Sequence, residues 1–233
     1  ELKIDFLDEK KVFENFINAQ VNINKKNNNL KFLKTHSSLA KVNGCNFTDL
    51  KNTFAAIYIV RDPRNVVNSF AHHYNLKIDD ATKAMLDPVR WIAKNDLVFK
   101  TFLSSWNMNY NSWKQLKEKV LFVKYEDLIL KKKNKLIKIF KFIQNLGAKG
   151  FQLNMFKLNK VIKSSDFKNM QELEKIDNFQ EGIFEKGSKK RKIFFRLGPK
   201  NDWRTNLDEK NRLKIEKAFE KEMIELGYLN SKE

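Results

Sequence analysis

Three short apolar runs, Leu30–Leu33, Phe54–Val60 and Val120–Val123, interrupt a chain whose remaining pattern is largely helical. Each is rich in Phe, Leu, Val or Ile and has the length of a buried strand. Between and after them, helices are expected over residues 63–76, 88–118 and 128–146. Short apolar strands alternating with helices make βαβ units, so the fold expected is α/β, a parallel sheet flanked by helices. No internal repeat and no Pro/Gly/Ser-rich linker divides the 233 residues, which argues for one domain.

Local signals place the boundaries. Val12, Phe13, Phe16 and Ile17 share one face of a helix expected over residues 8–20, with Asp8 as its N-cap. The polar stretch Asn22–Asn29 reads as a loop. Asp62-Pro63 sets a capping side chain before proline at the first helical position, so a helix starts directly after the second run. Asp87-Pro88 repeats that signal ahead of Trp91, and Gly147 stops the helix carrying Leu136, Phe140 and Ile143. Asn206 with Glu209 forms a capping pair before Leu213, Ala218, Phe219, Met223 and Leu226, a last helix that reads as core.

Composition removes several classes of function. Hydrophobic residues at 42% and aromatics at 12% provide a core and exclude global disorder. The longest apolar run, Phe54 to Val60, is far short of a bilayer span. Cys45 is the lone cysteine, so no intramolecular disulfide forms and a reducing, cytoplasmic setting is expected. With only His36, His72, His73 and Cys45 as soft ligands, no closed metal site is expected. The net charge of +18 suggests an anionic partner: nucleic acid, an acidic membrane surface or a phosphate-bearing small molecule. A solvated surface rich in Lys and Asn accounts for the excess equally well. Glycine is scarce, with seven in all and the first at Gly44, so residues 1–43 cannot form a glycine-rich phosphate loop.

Ligands of open α/β sheets bind beyond the carboxyl ends of the strands. Lys34-Thr35-His36 follows the first run, Arg61-Asp62-Pro63-Arg64 the second and Lys124-Tyr125-Glu126-Asp127 the third. Singly these are weak signals: a surface histidine, a local ion pair, a helix cap. Together they describe one anion site. The helix opening at Pro63 points N–H groups and a positive dipole end at the crevice, Arg61 can grip a phosphate, and Ser69 can donate a hydroxyl.

The stretch Ile57-Tyr58-Ile59-Val60-Arg61-Asp62-Pro63-Arg64-Asn65-Val66-Val67-Asn68-Ser69 resembles the 3′-phosphate-binding segment of sulfotransferases that use 3′-phosphoadenosine-5′-phosphosulfate (PAPS). Lys34-Thr35-His36 resembles that family's catalytic Lys-Thr-His element. Trp106 and Trp113 resemble its paired tryptophans, with Asn109 where a histidine is common. Tyr125-Glu126-Asp127 resembles the element whose tyrosine contacts the base, and Ser165 to Met170 the segment whose aromatic, here Phe167, stacks near the adenine. Phe194-Phe195-Arg196-Leu197-Gly198, followed by Asp202-Trp203, resembles the loop that closes on the 3′-phosphate, with Leu197 replacing a usual Lys and Asn201 a usual Gly.

The resemblance implies a P-loop nucleotide-kinase-like sulfotransferase fold covering roughly residues 30 to 229. It implies sulfuryl transfer from PAPS to a hydroxyl or amine, with His36 as general base and Lys34 steadying charge. Arg61, Ser69, Arg196 and Gly198 would hold the 3′-phosphate, Tyr125 and Phe167 the adenine; PAP is the product and no metal takes part. Acceptors of small-molecule, lipid or carbohydrate type and a homodimer stay open. Nothing before Lys34 resembles the family's loop for the 5′-phosphosulfate, so residues 1–233 are expected to form a single sulfotransferase-like domain lacking its first strand and that loop. Two alternatives follow: a catalytically inactive or partial domain, and a basic nucleic-acid-binding module using Lys131–Lys133 and Lys189-Lys190-Arg191-Lys192. The tryptophans 106, 113 and 203 are read as core.

Overall fold

The computed structural model describes residues 8–25, 30–92, 99–148, 150, 152–176 and 192–231. Helices α1 (Glu9–Glu14) and α2 (Phe16–Lys25) lead to a hairpin of β1 (Lys41–Val42) and β2 (Cys45–Asn46). Strand β3 (Ala56–Val60) runs into α3 (Pro63–Tyr74) and α4 (Ile78–Leu86); β4 (Trp91–Ile92) and β5 (Thr101–Phe102) form a second hairpin before α5 (Trp106–Trp113). A 3-10 turn, Lys114–Lys119, leads into β6 (Val120–Lys124). Then come α6 (Tyr125–Leu130), α7 (Lys132–Asn145), α8 (Met155–Ser164), α9 (Phe167–Ile176), α10 (Trp203–Asn206), α11 (Glu209–Ala218) and α12 (Glu220–Glu225).

The parallel pair expected from the sequence is present. β3 and β6 lie side by side from Ala56 opposite Val120 to Val60 opposite Lys124, with α3 and α6 leaving their carboxyl ends. Tyr58 anchors the pair against α5, packing on Tyr110 and Phe122. Beyond the sheet, Val67 and Ala71 of α3, Ala81 and Met85 of α4, Ile215 of α11 and then Phe219 and Met223 make one buried cluster. That cluster fixes α3, and α3 carries the site.

Asp8 and Asp62 cap as expected: each side chain accepts from a backbone N–H of its own helix, Lys11 and Arg64 respectively. Elsewhere the structure corrects the sequence reading. Leu30–Leu33 is not a strand; Phe32 and Leu33 are 63% and 68% exposed. A strand exists only through a hydrogen-bonded neighbour, and the chain just after this run, residues 36–39, bonds α5 side chains and Phe102 O instead.

Asp87 closes α4 and accepts from Val89 N–H; the chain then turns through the β4–β5 hairpin, so the helix expected from residue 88 starts only at Trp106, with residues 93–98 outside the described set. The first helix breaks at Asn15, whose side chain bonds Lys11 O, and α2 runs on to Lys25 through half of the expected loop; 26–29 lie outside the described residues. At the C-terminal end Asp208, not Asn206, caps α11: Asn206 is the last residue of α10, and Asp208 directly precedes α11 and accepts from Asn211 N–H. The expected last helix is also divided, with Phe219 between α11 and α12. Of the three tryptophans, Trp113 is buried, Trp106 packs against the core cluster, and Trp203 lies half-buried beneath two guanidiniums, Arg64 and Arg204, rather than in the core.

One buried ion cluster ties these pieces together. Arg64, 5% exposed, bonds Asp62 at 2.7 Å, Glu216 at 2.7 Å and Tyr228 O at 2.9 Å, and lies 4.0 Å over the Trp203 ring. Arg64→Ala removes the guanidinium from Asp62 and Tyr228 O and leaves Glu216 to Arg212 alone, and is expected to cost about 3–5 kcal/mol, measured as a lowered urea midpoint.

Candidate active site

The carboxyl ends of β3 and β6 bring Arg61 and Tyr125 together. The guanidinium carbon of Arg61 lies 4.3 Å from the Tyr125 ring centroid, and Arg61 Nη2 donates to Gly198 O at 3.3 Å. Arg61 Nε is buried and, among the described residues, unpartnered. Gly198 has φ +49°, and the Phe167 ring fills the space a Cβ would need. Glycine is required there for both reasons. Thus four residues named from the sequence, Arg61, Tyr125, Phe167 and Gly198, form one continuous patch.

The adjoining residues have structural duties. Glu126 accepts from Asp62 N–H at 3.1 Å and from Tyr228 Oη at 2.8 Å, which binds the two strand ends to the C-terminal turn. Burial, then the Glu126 carboxylate, pushes the Tyr228 phenol well up, so it stays a donor. Asp127 is paired with Lys135 at 2.6 Å, which holds its carboxyl below the usual range. Of the Tyr-Glu-Asp triplet, only the tyrosine is left for a ligand.

The loop through Phe194–Asp202 clamps onto α3 and α9. Asn201 Nδ2 donates to Asn65 O at 2.8 Å and to Ser69 Oγ at 3.1 Å, and Trp203 N–H donates to Asn65 Oδ1 at 2.8 Å. Glu174 of α9 accepts from Phe194 and Phe195 N–H, and Gln171 donates to Phe195 O at 2.7 Å. Asn201, standing where a glycine is usual, is the buried side chain that seats the loop beside Ser69. No sequence signal marked Asn65 or Asn201 as partners, because the pairing spans 136 residues.

Lys34 and His36 are exposed and line, with Phe16, Phe47, Phe70 and Trp106, a largely apolar cavity of about 1140 Å³ whose wall includes Ile57, Tyr58 and Ile59 of β3. Arg196 is exposed and faces a smaller cavity of about 460 Å³ with Asn68, His72 and Lys192. Burial, then Arg196 and Lys192, holds the His72 imidazole below its ordinary pKa. Lys132 of the first basic run donates to Ser165 O; of the second, Lys189-Lys190-Arg191 lies outside the described residues. Among the described residues no group of His, Cys, Asp and Glu could hold a metal ion, and no helix is long and apolar enough to cross a membrane.

The family profile for the sulfotransferase domain matches residues 3–227. The chain belongs to the sulfotransferase family. Its fold is similar to mouse sulfotransferase SULT7A1 complexed with PAP, at 23% identity and a TM-score of 0.51, covering 72% of this chain and 58% of that one. It is likewise similar to retinol dehydratase in complex with androsterone and the inactive cofactor PAP, at 20% identity and a TM-score of 0.51, covering 72% of this chain and 47% of that one. The chain spans about half the length of these sulfotransferase-fold structures.

In this sulfotransferase chain the loop's seating rests on Gly198. Gly198→Ala forces a left-handed alanine against the Phe167 ring, costing about 1–2 kcal/mol locally. The expected readout is faster hydrogen exchange at Lys200 and Asn201 N–H, which bond Leu197 O and Gly198 O, with β3–β6 amides unchanged.

Proposed function

We propose that the chain is a PAPS-dependent sulfotransferase domain. The observation that carries the reading is Arg61: a guanidinium stacked on Tyr125, tied to Gly198 O, with a buried Nε left over as a donor. A phosphate oxygen is the acceptor such a group fits. The residues present therefore suit PAP or PAPS. Arg61, Ser69 and Gly198 would hold the 3′-phosphate, with Arg196 on the same loop. Tyr125 and Phe167 would enclose the adenine, their rings bordering the Arg61–Gly198 contact.

The bound donor supplies an activated sulfuryl group to an acceptor hydroxyl or amine. His36 takes the acceptor's proton as the new bond to sulfur forms, and Lys34 offsets the negative charge gathering on the departing phosphate. His36 lines the large apolar cavity, so an acceptor with an apolar body and one hydroxyl suits the wall of Phe16, Phe47 and Phe70 better than a carbohydrate does. With a lone thiol and a nucleotide donor, the setting proposed is cytoplasmic.

A second reading is favoured by one observation. The described residues before Lys34 are two helices and a stretch that belongs to no strand, and Ile59 of β3 is 57% exposed beside the cavity. On that reading the chain alone binds PAP without turning over. Thermal shift with PAP and transfer of labelled sulfuryl from PAPS to 2-naphthol separate the two. His36→Ala is expected to keep the PAP-induced shift while lowering turnover by about 10²–10⁴-fold. Retained turnover removes His36 from the base role, and no PAP-induced shift in the unsubstituted chain removes the nucleotide reading itself.

A further inference from the structure

Asn109 does more than fill a position between two tryptophans. It is buried, and both ends of its amide are committed. Nδ2 donates to His36 O at 3.2 Å and to Leu103 O at 2.8 Å, while Oδ1 accepts from Tyr58 Oη at 2.9 Å. Burial pushes the Tyr58 phenol well up, so its hydroxyl remains a proton donor and the amide's orientation is fixed. Tyr58 is on β3, at the centre of the parallel pair, opposite Phe122.

The backbone around His36 is held by side chains and carbonyls of neighbouring elements. Residues 30–40 belong to no strand, and the apolar side chains at Phe32 and Leu33 are exposed. One edge of α5 supplies several of these contacts, and Ser38 Oγ donates to Leu103 O at 2.6 Å. Trp113 Nε1 donates to Ser37 O at 3.1 Å, and Ser112 Oγ accepts from Leu39 N–H at 2.9 Å. Beside these, Ser38 N–H donates to Phe102 O at 2.9 Å. Asn109 is the member of this set that acts on His36 itself and that connects it to the sheet.

We propose that Asn109 is a positioning residue: through the Tyr58–Asn109–His36 O chain it fixes the backbone of the Lys34–His36 element against β3. The consequence for turnover rests on the role proposed above for His36; the positioning itself does not. Asn109 touches a backbone carbonyl and not the reacting atoms, so its loss should act on the orientation of the base rather than on nucleotide affinity.

Hydrogen exchange on the full chain tests the positioning without needing any activity. In Asn109→Ala the amides of Ser37, Ser38 and Leu39 are expected to exchange about tenfold faster, while those of Ile57 to Val60 and of Val67 keep their protection. Tyr58→Phe keeps the ring's packing and removes only the hydroxyl; it should move the same three amides by a smaller factor. Unchanged exchange at these amides in both variants, or equal loosening throughout the chain, overturns the proposal. In the transfer assay with PAPS and 2-naphthol, Asn109→Ala should lower kcat with the Kd for PAP unchanged; an equal loss of PAP affinity also counts against it. If the unsubstituted chain transfers nothing, the sulfotransferase reading is what fails, and the exchange result still decides the positioning.

Discussion

The buried guanidinium of Arg64 is the interaction on which the site's geometry depends. It joins the end of β3, through Asp62, to α11, through Glu216, and to the C-terminal turn, through Tyr228 O. Its flat face lies on Trp203, which opens α10 directly after the loop carrying Gly198. Desolvating a charge is expensive unless every donor is used, and here the donors meet two carboxylates and a carbonyl. The return is positional. Arg61, three residues earlier in the chain, is left to face the crevice on a backbone that cannot shift without breaking that cluster. Glu126 adds a second tie by accepting from Asp62 N–H and from the Tyr228 hydroxyl at once.

What was legible in the sequence was mainly local. Asp62-Pro63 announced a helix after an apolar run, and the structure has both the cap and the helix. The spacing of Arg61, Tyr125, Phe167 and Gly198 along the chain matched a resemblance, and the four do meet. The failures share one cause: they needed a partner that periodicity cannot see. Leu30–Leu33 has a strand's composition but lies in no strand, with Phe32 and Leu33 exposed. Asp87-Pro88 has the letters of a cap, yet Arg90 O is taken by Leu103 and Ser104 N–H, and that closes a hairpin where a helix was expected.

Departures from the family pattern also read differently once their contacts are known. Asn201, standing where glycine is usual, exchanges backbone freedom for two hydrogen bonds that seat the loop on α3. Asn109, standing where a histidine is common, gives up a titratable ring for an amide that both donates and accepts. Asn109 takes its buried place with both ends of its amide bonded, whereas Asn201 uses its donors and leaves Oδ1 without a partner among the described residues. A substitution away from a motif is therefore not by itself a sign of lost function; the number of its donors and acceptors that find partners is the better guide.

The same test divides the chain's positive charge. Most of the +18 excess comes from lysines, and several lysine ion pairs lie on exposed faces, as for Lys10 with Glu14 or Lys83 with Asp80, where such pairs add little. Lysines stack as well, Lys114 over Tyr110 at 4.4 Å and Lys160 over Phe156 at 4.5 Å, but the buried cation is an arginine, Arg64. Arg61, Arg64 and Arg204 lie over aromatic rings at 4.3, 4.0 and 4.6 Å, and Arg212 bridges Glu209 and Glu216. A planar fork that stacks and bonds at fixed angles can be placed, whereas a flexible ammonium mostly contributes a field. The lysines thus supply a diffuse attraction for anions at long range, and on the function proposed above a few arginines would set where one of them binds. An Arg61→Lys exchange would keep the field and lose the placement, which is why charge alone could point to an anionic partner but not to this crevice.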